Sequence, residues 1–150
     1  MTSAFTIPVG RIIPVLALAS VACGAGSDLW VTSKDFQTIG PNQQVQITVK
    51  FNQPADPVTV VSGTSLVLAG ATGSPAGETH TWTNSQTLVV TSTGSWSQVN
   101  GPGGTDAGAT LTLKGTIKSQ AGGSLQQCAK GKYDGTEPLG DCKLSIVIPG

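Results

Sequence analysis

Gln43-Gln44-Val45-Gln46-Ile47-Thr48-Val49-Lys50-Phe51 decides the class of fold. Val45, Ile47, Val49 and Phe51 fall on every second position, and Gln44, Gln46, Thr48 and Lys50 fill the gaps between them. Successive side chains point to opposite sides only when the backbone is extended, so the segment reads as a strand with one dry face and one wet face. Residues 109–118 repeat the pattern, with Leu111, Leu113 and Ile117 set against Thr110, Thr112, Lys114, Thr116 and Lys118. Between these two lie shorter runs at 58–61, 65–68, 80–83 and 86–91, rich in β-branched residues and separated by Gly, Pro, Asn or Ser. Asn84-Ser85 reads as the turn of a hairpin. Near the end, residues 143–148 alternate through Leu144, Ile146 and Ile148, and residues 30–32 open the series. No apolar period of 3.6 residues is sustained beyond position 23. The pattern predicts an all-β chain of about seven short strands, arranged as an antiparallel Ig-like sandwich whose apolar sides face each other.

Ahead of this domain, Ile12 to Ala22 form an apolar run of 11 residues behind Arg11. A helix needs roughly 20 apolar residues to cross a bilayer, so the run fits an export signal better than a membrane span. At its end, Ala19-Ser20-Val21-Ala22-Cys23 resembles the lipobox of bacterial lipoproteins, with small Gly24-Ala25-Gly26-Ser27 after it. The resemblance implies a signal peptide at 1–22, a diacylglycerol thioether on Cys23, a tether at 23–28 and the sandwich at 29–150. It also implies a lipid-anchored place in the bacterial cell envelope, with the membrane as a partner. Ordinary secretion, with cleavage after Ala22 or Ala25, is the alternative reading.

Three cysteines are an awkward number for an oxidising compartment unless one has another use. With Cys23 assigned to lipid, Cys128 and Cys142 are left to pair around a loop containing Gly131, Gly135, Pro138 and Gly140. Closing a loop of about 15 residues stabilises by roughly 3 kcal/mol in the chain-entropy account. The competing use of these thiols is a metal site, but no Cys-x-x-Cys occurs and the single histidine, His80, is distant in sequence.

Removing the first 22 of 150 residues leaves 128, the size of one domain. That part carries seven lysines against eight acidic residues, and the only arginine, Arg11, belongs to the signal. A nucleic-acid binder would show a basic stripe and arginine forks for phosphate, so nucleic acid is not expected as a partner.

The strand sequences themselves resemble a known family. Val45-Gln-Ile-Thr-Val-Lys-Phe-Asn-Gln-Pro-Ala-Asp-Pro57, followed by Thr64-Ser-Leu-Val-Leu68, is similar to the opening of bacterial Ig-like domains of the SbsA type. Trp82 followed by Thr87-Leu-Val-Val-Thr91 resembles the family's central hairpin. Leu111-Thr-Leu-Lys-Gly-Thr-Ile-Lys-Ser-Gln-Ala-Gly-Gly-Ser-Leu125 resembles its closing strand and glycine turn. The likeness spans roughly Trp30 to Leu125, and the cysteine loop and last strand lie beyond it. It implies a structural or adhesive module of bacterial surfaces, with envelope proteins or glycans as partners and no shared catalytic residues.

A search for chemistry in the residues themselves finds little. His80 lies in an expected strand between threonines; serines are plentiful, but no Gly-x-Ser-x-Gly elbow accompanies them, so an enzyme is not expected. No cofactor motif is present and none is expected. Asp134, Glu137 and Asp141 cluster within the cysteine loop and are weak calcium candidates, since oxygen ligands suit that cation, although the EF-hand spacing is missing. An ordinary solvated loop is the alternative. Trp96, with Asn100 and Asp106, stands in a long Gly- and Ser-rich connection and could stack on a sugar ring, making a small carbohydrate-binding surface lipoprotein the second functional reading. Equally, Trp96 could fold back to cap the sandwich.

Overall fold

The structure is a computed structural model that describes residues 28–70, 75–100, 108–126 and 141–147. Seven strands form two antiparallel sheets. They are β1 (Val31–Ile39), β2 (Gln44–Phe51), β3 (Leu66–Ala69), β4 (Glu78–Asn84), β5 (Thr87–Ser95), β6 (Ala109–Leu113) and β7 (Cys142–Ile146). One sheet has the order β1-β2-β5-β4 and the other β3-β6-β7. Lettered in chain order these are ABED and CFG, the two sheets of a constant-type immunoglobulin sandwich. The all-β Ig-like expectation is met.

Alternation in the sequence becomes the core directly. Val45, Ile47, Val49 and Phe51 of β2 meet Leu88 and Val90 of β5 on the inner side of the first sheet. Leu66, Leu68, Leu111, Leu113, Leu144 and Ile146 line the second, and all of them are buried. Leu29, Ile117 and Leu125, outside the named strands, are sealed into the same cluster. The outer side of the first sheet is uncharged over much of its breadth: Thr79 and Thr81 of β4 stand beside Thr91 and Val89 of β5, which stand beside Gln46 and Thr48 of β2.

Four local readings change. Residues 58–61 are not a strand, because Asp56-Pro57 starts a 3-10 turn at Pro57–Thr59: the Asp56 carboxylate caps the Val58 N–H at 3.2 Å, and proline at the first position supplies the required φ. The strand expected over 109–118 stops at Leu113, where the chain turns, with the Ile117 N–H donating to the Lys114 carbonyl at 3.0 Å; Ile117 is still buried. The hairpin turn falls one residue later, on Ser85-Gln86, because the Asn84 side chain accepts the Gln86 N–H at 2.9 Å in an Asx turn. Finally, β1 runs nine residues, Val31–Ile39, where the expected opening segment, 30–32, covers only its first two. It is an edge strand with Val31 as its one buried residue, and a strand with two wet faces has no apolar period to read.

Where β2 and β5 fall out of register, between Gln44 and Gln46, a side chain replaces a ladder bond. The buried Ser92 hydroxyl accepts the Val45 N–H at 2.9 Å and donates to the Gly94 carbonyl at 2.6 Å. Gly108, which leads into β6, is needed as glycine: its φ is +64° and a Cβ there would lie 2.8 Å from the Ile146 carbonyl oxygen.

Both open sides of the sandwich are stitched by charged side chains. On one, the Lys34 ammonium of β1 donates to the Ser145 carbonyl of β7 at 2.6 Å. On the other, the Glu78 carboxylate of β4 accepts the Leu68 N–H of β3 at 3.1 Å. Each bond occupies a backbone group that an unpaired edge would offer to another strand, which discourages edge-to-edge association. Lys50 belongs to the central strand β2 and points off the outer face.

Candidate functional site

The described residues present three places with chemistry: the flank between β3 and β4, the short helix after β5, and the turn after β6.

At the flank, Glu78, His80 and Trp82 occupy alternate positions of β4 and turn toward the second sheet, while Thr79, Thr81 and Thr83 face water. This brings His80 to a serine that proximity in sequence did not indicate. The Ser62 hydroxyl and His80 Nδ1 are 2.8 Å apart and share one hydrogen bond, in the direction the tautomer allows. Glu78 is two residues away, and both its carboxylate oxygens are occupied: Oε1 accepts the Gly63 N–H at 2.7 Å and Oε2 the Leu68 N–H.

A nucleophilic serine needs a base that an acid orients from the far side of the ring, and backbone donors free to hold an oxyanion. Here no acid meets His80 Nε2 among the described residues. The N–H groups of Thr64, Ser65 and Leu66 all turn back to the Val61 carbonyl, at 3.0 to 3.1 Å. The trio therefore works as a clamp: Ser62, His80 and Glu78 fasten the 61–66 turn to the edge of the other sheet. Nothing in the sequence pairs residue 62 with 80. Only the crossing from β3 to β4 on the same side of the sandwich does so.

After β5 the chain makes α1 (Trp96–Asn100). The Trp96 N–H donates to the Gln43 carbonyl at 2.7 Å, Val99 is buried, and the half-buried Trp96 ring packs against the core cluster. The Gln98 side chain caps the Ser95 N–H at 2.9 Å. Asn100 closes this helix; its side chain and Asp106 lie outside the described residues. Trp82, also half-buried, tilts at 34° to Phe51 with ring centroids 6.0 Å apart, and its buried indole N–H has no hydrogen-bond partner.

Of the calcium candidates, Asp141 is described, and Asp134 and Glu137 lie outside. Asp141 Oδ2 pairs with the Lys114 ammonium at 3.0 Å, and Oδ1 accepts the Gly115 N–H at 3.1 Å. The Lys114 hydrogen bond and then the Gly115 N–H hold this carboxyl below its ordinary range. Among the described residues no three acidic, histidine or cysteine side chains gather as a metal site. Cys23 and Cys128 fall outside the described residues; Cys142 opens β7 fully buried, opposite Leu113. No helix of the described residues is long and apolar enough to cross a membrane. No protein-family model and no curated protein matches the chain.

Proposed function

We propose that this chain is an exported, non-catalytic Ig-like module of the bacterial cell envelope, held to a membrane through acylated Cys23 and serving in structure or adhesion. The observation that carries the reading is where the chain joins the sandwich. The Asp28 carbonyl is gripped by the Asn52 and Gln53 side chains at 3.1 and 2.6 Å, and Leu29 is fully buried. A tether ending at Asp28 therefore holds one defined end of a rigid body. That proximal end carries residues 52–60, the Ser85-Gln86 turn and the stretch 114–126. The distal end carries the turn at 40–43, helix α1 and the last residues of β7, and it is the end left free to meet a partner. Several acyl chains give stable anchoring where one does not.

A disulfide between Cys128 and Cys142 completes the proposal. It closes the connection that follows Gln126, whose N–H donates to the Leu29 carbonyl at 2.8 Å, and ties that connection to the first residue of β7. The non-catalytic reading is supported by the clamp at Ser62, His80 and Glu78, whose polar groups are taken up in fastening the turn. The SbsA-type resemblance supports a surface role.

Intact mass spectrometry of the full chain from a bacterial host, beside a Cys23→Ser form and with and without reductant, tests both covalent claims. The expected mature species starts at acylated Cys23 and gains the mass of two hydrogen atoms on reduction. An unmodified Cys23 would remove the anchor, and an unchanged mass on reduction would remove the disulfide.

A further inference from the structure

We propose that the proximal loop tip around Pro57 and Val58 rests on the bilayer that holds the acyl chains of Cys23, so that the domain stands on its membrane in one orientation instead of swinging on its tether. The inference rests on the lipid-anchor reading above and adds a second, non-covalent contact to it.

Reach comes first. Five peptide steps separate Cys23 from Asp28, about 17 Å when fully extended. The eight residues of β2 alone span about 27 Å. With Asp28 held at the proximal end, such a tether is shorter than the body it carries. The loops beside Asp28 can reach the lipid surface upright; the distal end is the part furthest from it.

The surface at that end fits a lipid partner. Val58 is 78% exposed, the most exposed of the large hydrophobic residues among those described. Covering it with something apolar, such as a bilayer within reach, would be favourable. Val58 is also held out rigidly. Asp56 caps its N–H, the Thr59 N–H and hydroxyl both return to the Asp56 carbonyl, and the Thr59 hydroxyl accepts the Lys118 N–H at 3.0 Å. The tip therefore cannot collapse onto the core. Lys118, exposed beside it, brings an ammonium that lipid phosphates attract.

Val147, 42% exposed, follows β7 at the distal end and is the internal control. Full-length Val58→Trp and Val147→Trp proteins, produced with their lipid, are placed in phosphatidylethanolamine–phosphatidylglycerol vesicles with brominated acyl chains. Relative to the parent protein, the tryptophan added at 58 is expected to emit to the blue and to be quenched by bromine, and the one at 147 to remain wet and unquenched. Equal, unquenched emission from both, in protein that still floats with the vesicles, overturns the lipid contact and leaves the anchor standing. A blue shift at 58 without bromine quenching means that protein covers the tip, and also overturns it. Failure to float, with unmodified Cys23 by mass, removes the anchor reading and this proposal together.

Discussion

The two ends of the sandwich are built by different means. At the proximal end, side chains bond across long stretches of sequence. Asn52 and Gln53 hold Asp28, Thr59 holds Lys118, and Asp141 holds Lys114 and Gly115, with Leu29, Ile117 and Leu125 packed beneath as an apolar plug. At the distal end the fastening stays within the first sheet, between β5 and its neighbour β2: Gln98 caps Ser95, the Ser92 hydroxyl bridges Val45 and Gly94, and the Trp96 backbone N–H hangs from the Gln43 carbonyl. Bonds such as Thr59 to Lys118 and Leu29 to Ser124 and Gln126 tie connections of one sheet to connections of the other, which bonds between neighbouring strands of one sheet do not. The contrast makes the proximal end the place where the two sheets are fastened to each other.

The harshest way to break this contrast is Leu29→Ala, which leaves a cavity where the chain enters the core. The expected loss is about 2–5 kcal/mol in urea unfolding, with faster amide exchange at Leu125 and Gln126. Ser92→Ala attacks the distal end instead. It strands the buried Val45 N–H, so about 1–3 kcal/mol is expected, with exchange raised around Val45 and the proximal amides unaffected. If Ser92→Ala loosened both ends equally, the division between them would be wrong.

The mildest effect is expected from Asp141→Asn, and it sharpens the comparison through pH. The Asp141 carboxyl is held below the ordinary carboxylate pKa of about 3.9. Its contribution is therefore fully present above that pH and is lost as pH falls through the lower folded value. The stability gap between parent and Asp141→Asn should be constant near neutrality and close in acid. A gap that did not depend on pH would mean that the Lys114 pair adds nothing beyond the shape of the side chain.

How much of this was legible depended on whether a residue's neighbour lay along the chain or across the sandwich. The β2 run could be read because its dry face is buried at every second position. β1 was read only at its start because an edge strand wet on both sides repeats nothing. The 58–61 run is β-branched and looked extended, yet the cap and proline immediately before it overrode that propensity. Ile117 was correctly expected inside, although its strand had already ended, because apolarity decides burial and turns decide geometry. In the candidate sites, the acidic character of Asp141 was visible and its partner Lys114 was not, since they lie 27 positions apart. His80 was singled out as the only histidine, but Ser62 was one serine among many.

By itself, the order of residues determined the class of the fold, the identity of most inward-facing side chains and the neutral, arginine-free character of the domain. Those properties follow from local alternation and from composition, which do not depend on what the chain meets later. Tertiary structure alone decided which strands became edges, which polar groups closed them, and that Asp28, Val58 and Lys118 share one end while Trp96 stands at the other. Such neighbours are set by how two twisted sheets pack and cross, and no periodicity within a single segment records the far partner.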